Sequence, residues 1–255
     1  MRFRVIRLRG GIGNQLFILC EVIKRLKLGE CIYVDENTGF VKDKYRRSSI
    51  LEHLNIKFSL LPMVLCNCLL AIDRFFLNVL NRSIYLNGYF QFQMGDDVVE
   101  RVMAAFNVKE YNEDLTRHCA LLHFRDYKGL SEDHSNLRID YYAKAIECFK
   151  QKGITSFHVA GENDAILSEE ELQVLVGDCT IRLLDFKGYS DLEELLYLSS
   201  YKDIAISNST YAWWIARFST IKNSPVTIYM PSEKHLPISH SWNVNALCHT
   251  NWNVL

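Results

Sequence analysis

Short apolar runs alternate with segments in which apolar residues recur every three or four positions. The short runs predict buried strands, and the longer spacing predicts amphipathic helices. The first half of the chain is predicted to hold three strands and four helices. These are strands Arg4–Leu8, Cys31–Val34 and Ser83–Gly88, a helix over Leu16–Leu26, two helices within Ser49–Leu80, and a helix over Asp96–Phe106.

A polar, charged segment at Lys109–Arg117 separates this half from a second, more regular series of strands and helices. Repeated strand–helix units of this length imply right-handed crossovers and a parallel sheet. The sequence therefore predicts an α/β protein with two domains, residues 1–112 and 113–255. The second domain is predicted to hold strands Cys119–Phe124, Thr155–Ala160, Thr180–Leu184, Asp203–Ser207 and Val226–Tyr229, with helices Tyr141–Lys150, Glu169–Val176, Leu192–Ser199 and Tyr211–Phe218 between them.

Composition and charge are those of an ordinary globular protein. The 255 residues are 49% hydrophobic and 23% charged, and the formal net charge of -1 gives no overall field that would attract nucleic acid. Most of the eight cysteines lie in apolar runs, which favours free thiols over a disulfide framework. We therefore expect a cytoplasmic protein without a nucleic-acid partner.

The most membrane-like stretch is Phe58–Ile72. It has 15 residues, whereas a membrane span needs about 20, so it predicts a buried helix. The alternative is a weak, peripheral contact with the inner face of a membrane.

Four polar segments directly follow predicted strands, where parallel sheets bind their ligands. In the first, Gly11, Gly13, Asn14 and Gln15 open a helix whose free N–H groups could hold an anion. The alternatives are a plain tight turn and a dinucleotide-binding loop that pairs with Asp35. Leu16 stands where that loop would need its third glycine, which weakens the dehydrogenase hypothesis.

The second segment contains His123, Arg125 and Asp126. Side chains alternate along a strand, so His123 and Arg125 leave it on the same side. The planar fork of an arginine suits a pyrophosphate. The alternative is a surface pair between Arg125 and Asp126.

The third and fourth segments could read a base and hold phosphates. Glu162 and Asn163 follow a strand, and a carboxylate there can accept from both the N1–H and the N2–H₂ of guanine, a donor pair that adenine does not offer. A solvated acidic loop is the alternative. The hydroxyls and amide of Ser207, Asn208, Ser209 and Thr210 precede a helix, where they could cap it or bind phosphate; Trp213–Trp214 is expected to be core.

Acidic pairs suited to a metal-bound diphosphate do not follow any predicted strand, and the sequence has no zinc or P-loop pattern. We therefore expect no metal and no cofactor. Charge neutralisation would fall to Arg125 and to backbone dipoles.

Taken together, the motifs resemble the family 11 glycosyltransferases, the α-1,2-fucosyltransferases. The resemblance lies in Gly10–Phe17 (GGIGNQLF), Leu86–Gln91, Ser207–Trp214 (SNSTYAWW) and the late Pro231 and Trp242. The chain departs from the family at two positions. The family's His-x-Arg-Arg-x-Asp is shortened to His123–Asp126, which lacks the second arginine, and Glu162-Asn163 replaces two aspartates.

The resemblance implies a GT-B-like architecture of two Rossmann-like halves, with GDP-fucose bound mainly by the second. It implies inverting, metal-independent transfer of fucose to the 2-hydroxyl of a galactose-type residue in a glycan. Arg125, Ser209, Thr210 and the backbone near Gly13 and Asn14 would stabilise the leaving diphosphate. Asp126 and His123 are both candidates for the base. A fucosyltransferase of another linkage and a non-catalytic nucleotide-sugar-binding module remain alternatives.

Overall fold

The chain divides into two compact units, Met1–Asn107 (unit 1) and Val108–Leu255 (unit 2). Each unit has a parallel sheet with helices between its strands. The predicted boundary after residue 112 lies outside the described residues. The computed structural model describes residues 3–41, 43, 47–55, 58–80, 84–92, 94–106, 118–125, 137, 139–161, 167–236 and 243–255, without the side chains of 74–80.

Unit 1 is built on a three-stranded parallel sheet in the order β2-β1-β3. Helix α1 supplies much of its core, because one long face of apolar residues is buried. The elements of unit 1 are β1 (Phe3–Arg7), α1 (Ile12–Lys27), β2 (Cys31–Asp35), a 3-10 turn (Ile50–His53), α2 (Met63–Leu80), β3 (Tyr85–Leu86) and α3 (Asp96–Ala105).

Helix α2 corrects two expectations. In the described residues between 49 and 80 only one α-helix forms, because the first predicted helix is a four-residue 3-10 turn. The prediction of a buried helix is wrong for the described part of α2, where Val64 is 76% exposed and Met63, Leu65 and Ile72 are also exposed. In that part only Cys66, Leu69 and Leu70 pack against the unit 1 core. Among the described residues, no helix is long and apolar enough to cross a membrane.

Unit 2 has a six-stranded parallel sheet in the order β6-β5-β4-β7-β8-β9. Counted from β4, this is the 3-2-1-4-5-6 order of nucleotide-binding sheets. The elements are β4 (Cys119–Phe124), α4 (Ile139–Gln151), β5 (Ser156–Gly161), α5 (Glu169–Val176), β6 (Thr180–Leu183), α6 (Asp191–Leu198), β7 (Asp203–Ala205), α7 (Thr210–Lys222), β8 (Thr227–Met230), a 3-10 turn (Glu233–His235), α8 (Val244–Leu247) and β9 (Asn253–Val254).

The core of unit 2 forms around β4, whose six residues are all buried. The Tyr141 hydroxyl donates to the carbonyls of Ile206 (2.9 Å) and Tyr229 (2.8 Å), which ties the ends of β7 and β8 together. Trp213 and Trp214 are buried as expected, with ring centroids 4.9 Å apart. The α/β class with parallel sheets is therefore confirmed in both units, and all eight cysteines are free thiols.

Candidate functional site

In unit 2 the strand order reverses between β4 and β7, and sheets of this type bind ligands at the carboxyl end of that junction. Two of the predicted segments lie there. Arg125 follows β4 directly, and Ser207–Thr210 connects β7 to the first turn of α7. The sheet therefore brings together segments that are about 80 residues apart in the sequence.

A chain of hydrogen bonds joins these two segments. Nδ1 of His123 lies 3.1 Å from Oγ of Ser207, and that oxygen lies 3.2 Å from Oγ of Ser209. The Ser209 hydroxyl in turn accepts the backbone N–H of Ala212 at 3.1 Å and so caps α7. These side-chain hydrogen bonds thus connect the end of β4 to the start of α7.

The imidazole of His123 is buried and electrically neutral. Burial, reinforced by the nearby positive charge of Arg125, lowers the pKa of His123 to about 3. Such a group is a weak base, so this environment argues against His123 as the proton acceptor. Its geometry instead suits it to orient Ser207.

Arg125 is partly buried, and its charge acts on two groups at the junction. It lowers the pKa of His123, and it opposes the rise in the pKa of Tyr211 that burial and then Glu194 cause. A partly buried arginine beside a helix N-terminus is suited to an anionic ligand, because the side chain and the helix end are both positive.

The end of β5 lies close to β4 because Gly161 has no side chain. Its φ is +150°, and a Cβ there would be 2.2 Å from the carbonyl oxygen of Phe124. The chain after Gly161 therefore starts beside the end of β4. Glu162 and Asn163, predicted to read guanine, and Asp126, a candidate base, lie outside the described residues.

The predicted phosphate-binding segment of unit 2 is largely buried. Ser207, Asn208 and Ser209 are each less than a tenth exposed, whereas Thr210 is partly exposed. The hydroxyls of Ser207 and Ser209 are already used in the chain to His123. A phosphate would thus meet chiefly the backbone and Thr210, with the serines setting the shape of the loop.

In unit 1 the order β2-β1-β3 reverses between β1 and β3, and two motif segments meet there. Gly10, which follows β1, has a φ of +80°, and a Cβ on it would lie 3.1 Å from the Tyr89 ring. The Asn14 side-chain oxygen accepts from Gln91 at 2.8 Å. The glycine loop and the Gly-Tyr-Phe-Gln segment thus form one structural unit.

The side-chain amide of Gln15 is buried and fully engaged. Its nitrogen donates to the carbonyls of Gly10 (3.0 Å) and Ser48 (2.9 Å), and its oxygen accepts the N–H of Ile50 at 2.8 Å. In unit 1 Gln15 is therefore a bridge between two loops.

Gly11 is the N-cap of α1, whose first turn has no side-chain cap and no acidic residue, and Gly13 lies within that turn.

The carboxyl edge of the unit 1 sheet opens into a cavity of about 550 Å³. Three arginines contribute to it, and none of them lies in the four segments that the sequence predicts to bind ligands. Arg7 is the last residue of β1 and Arg9 lies two positions further on, so the two side chains leave the chain on the same side. This spacing is the feature of the sequence that could have predicted the pair. The lining residues are Arg7, Arg9, Gly10, Thr38, Gly39, Val41, Asp43, Arg47, Met63, Asn67, Leu70 and Tyr89.

Asp35 is not available to bind a ribose. It is fully buried, and its carboxylate accepts the N–H groups of Asn37 and Thr38 at 3.0 Å and the hydroxyls of Thr38 and Tyr85. Burial alone would raise the pKa of Asp35, but the hydrogen bonds from Thr38 and Tyr85 outweigh it and lower the pKa. This arrangement argues against the dehydrogenase alternative.

Potential metal ligands are scattered through the described part of the chain. No group of three or more His, Cys, Asp or Glu side chains within it is placed to hold a metal ion. The Cys66–Cys68 pair illustrates this, since the first thiol is buried in unit 1 and the second is exposed.

Comparisons with known proteins give no family assignment. A scan against protein-family models finds no match, and a search of curated proteins finds no significant match. The solved structures that resemble the chain include E. coli heptosyltransferase WaaC with ADP (12% identity, 91% of this chain and 87% of that chain, TM-score 0.42). They also include WaaC with ADP-2-deoxy-2-fluoro heptose (11%, 100% and 93%, 0.47) and the E. coli ADP-heptose lps heptosyltransferase II (11%, 99% and 90%, 0.45). At these values the similarity identifies no activity for this chain.

Proposed function

We propose that the protein is a nucleotide-sugar-dependent glycosyltransferase of GT-B type that transfers fucose from GDP-fucose to the 2-hydroxyl of a galactose-type residue. The observation that supports this most is the junction between β4 and β7. Arg125, a capped helix N-terminus and a chain of hydroxyl groups meet there, at the edge where such sheets bind nucleotides. The fucose donor and the α-1,2 linkage rest on the resemblance of the motifs.

In the proposed reaction the acceptor oxygen attacks C1 of fucose from the face opposite GDP. The bond between C1 and the β-phosphate oxygen breaks, GDP leaves with the electron pair, and the configuration at C1 inverts. The acceptor proton passes to a base or to water. Charge therefore grows on the diphosphate in the transition state, and fixed donors at that position accelerate the reaction.

Each described residue at the junction has a role in this proposal. Arg125 binds the diphosphate as its charge grows, and Thr210 with the first turn of α7 binds phosphate oxygens. His123, neutral and buried, fixes Ser207 and through it Ser209. Asp126 is the remaining candidate for the base, because the low pKa of His123 makes that side chain a poor proton acceptor.

Calorimetry with GDP, ADP and UDP tests the donor. We expect GDP to bind at least tenfold more tightly than ADP, because a protein carboxylate can accept from both N1–H and N2–H₂ of guanine, and adenine has no such pair of donors. Equal binding of ADP and GDP would remove the guanine-selective site from the proposal.

A panel of galactose-containing acceptors with GDP-fucose tests the reaction itself, with the linkage of the product determined by NMR. An α-1,2 product supports the proposal. Another linkage indicates a different fucosyltransferase. GDP binding without turnover of any acceptor would favour the non-catalytic module, which the loss of the second arginine from the motif suggests.

A further inference from the structure

The cavity of unit 1 has a strong excess of positive charge. Among the described residues, Arg7, Arg9 and Arg47 line it, and Asp43 is the one acidic residue of the lining. Asp43 and Arg47 form an ion pair at 3.4 Å. The three positive charges repel one another, and the one carboxylate offsets only part of that repulsion. Partial burial increases the free-energy cost of the remaining positive charge unless an anionic ligand binds.

Two of the three arginines keep hydrogen-bonding capacity. The buried Nε atoms of Arg7 and Arg9 have no hydrogen-bond partner among the described residues. A terminal nitrogen of Arg7 donates to the Thr38 carbonyl, and the Arg9 guanidinium carbon lies 4.4 Å from the centroid of the Tyr89 ring. These contacts, to a carbonyl and to an aromatic ring, fix the directions of the two side chains.

Arg47 faces the same cavity and lies next to the glycine loop. A Cβ on Gly11 would be 3.7 Å from its Nε. The neighbouring buried carboxylate, Asp35, is satisfied by neutral donors and does not take up these arginines. The cavity also offers apolar surface from Met63, Leu70 and Tyr89, and its volume lies within the usual range for small ligands.

From this lining we infer that the cavity of unit 1 binds an anionic group, a phosphate or a carboxylate, carried by the acceptor saccharide. The inference rests on the proposed function. The junction in unit 2 serves the donor, so the second ligand-binding edge of the chain serves the other substrate. Arginine forks bind the oxygens of the acid, while the Tyr89 ring and the apolar side chains contact the sugar. The acceptor is then an acidic glycan rather than a neutral galactoside.

Binding experiments on the full-length protein test this without requiring turnover. The probes are galactose 6-phosphate, galacturonic acid and galactose, measured by calorimetry or ligand-observed NMR. We expect at least one of the two acidic sugars to bind about 10-fold to 100-fold more tightly than galactose, because hydrogen bonds to charged groups are the stronger ones. Comparing the phosphate with the carboxylate probe tells which acid the site takes. Equal binding of all three sugars would overturn the inference.

Amino-acid substitutions show whether the acidic sugars bind in the cavity of unit 1. Arg47→Ala and Arg9→Ala should remove the preference for the acidic sugar, whereas Arg9→Lys should restore part of it because the charge remains. The matched control is Arg101→Ala, an exposed arginine on α3 of the same unit, which should change nothing. Arg9 contacts Tyr89, so its removal could also disturb the fold. Thermal unfolding of each variant shows whether the fold is retained, and the half-buried Arg47 provides an independent variant.

GDP titrated into the same variants separates this inference from the proposed function. If Arg9→Ala or Arg47→Ala abolishes GDP binding, the cavity holds the donor diphosphate and the inference is wrong, while the transferase proposal stands. If the wild-type protein binds acidic sugars but no nucleotide, the proposed function fails and the anion site in unit 1 remains. Retained GDP binding together with a lost acid preference supports the inference.

Discussion

Unit 1 and unit 2 reverse their strand order once each, so each has one edge suited to a ligand, but the two edges have different chemistry. Unit 1 presents a cavity with three guanidinium groups and few hydroxyls. Among its described residues, unit 2 presents buried serines, a neutral imidazole and Arg125. The topology would therefore set where a ligand binds in each unit, and the side chains that follow the strands would set the charge of that ligand.

The largest expected effect concerns Arg125, the one arginine at the unit 2 junction in the described chain. The Arg125→Ala protein should turn over about 10²–10³-fold more slowly, since removing a fixed donor to developing charge costs about that much. Arg125→Lys should also be impaired, because the charge stays but the planar fork is lost. Steady-state kinetics with GDP-fucose and an active acceptor measures both.

The matched control is Arg182→Ala, on the exposed side of β6. It should keep nearly full turnover. A folded Arg125→Ala enzyme with near-normal transfer would show that the diphosphate is held elsewhere, and the arginine-rich cavity of unit 1 would then be the first place to look.

The second prediction uses the buried imidazole of unit 2. Its pKa is about 3 in the folded protein and about 6.5 in an unfolded chain, so the unfolded state binds the proton first as the pH falls. The stability that neutral His123 contributes is therefore complete above pH 6.5 and is lost between pH 6.5 and about 3. Between pH 7 and pH 4 the wild type should lose roughly 2–4 kcal/mol more than His123→Gln.

Urea unfolding at pH 7, 5 and 4 measures this difference. His53→Gln, at an exposed histidine of unit 1, is the control and should follow the wild type. Parallel curves for wild type and His123→Gln would mean that His123 is solvated or protonated in the native protein.

The third prediction compares two helix caps within unit 2. Ser209 caps α7 at the proposed site, and Ser168 caps α5 through a capping box. Both Ser209→Ala and Ser168→Ala should lose about 0.5–2 kcal/mol of stability. The Ser209→Ala protein alone should also bind GDP more weakly, by about tenfold, because the loop that presents Thr210 and the first turn of α7 to the phosphate loses the hydrogen bonds that set its shape. Equal GDP affinity in both variants would make Ser209 a purely structural cap.

The last prediction is that a metal chelator does not change the rate of transfer. EDTA should leave transfer unchanged, since the proposal assigns charge neutralisation to Arg125 and to the start of α7. Assays with and without chelator, followed by Mg²⁺ or Mn²⁺, measure it. Activity lost in EDTA and restored by a divalent ion would contradict this assignment.

Strands and helices of unit 2 were predictable because each is short, apolar and bounded by polar residues. Cys119–Phe124 and Glu169–Val176 have the predicted limits. Helix α7 extends four residues beyond the predicted end, since tertiary packing stabilises its last turn. The elements after residue 230 were missed because they have two to four residues each, too few to show a period.

The candidate site was predictable to different degrees in the two units. His123 and Ser207 could be placed at one edge because parallel strands end together. Their hydrogen bond, and the burial that lowers the pKa of His123, depend on packing that no local pattern encodes. In unit 1 the sequence from Glu36 to Arg47 is polar and shows no helix or strand period, so the position of the cavity residue Arg47 beside Gly11 follows from the tertiary fold alone.

The bridge made by Gln15 has a consequence for redesign. Its amide hydrogen-bonds to the backbone of Ser48 and Ile50. The main chain after Arg47 is thus anchored by bonds that do not involve the side chain at position 47. A library randomised at that position should vary the charge and shape of the cavity on one unchanged loop, which makes position 47 a natural starting point for changing which ligands unit 1 accepts.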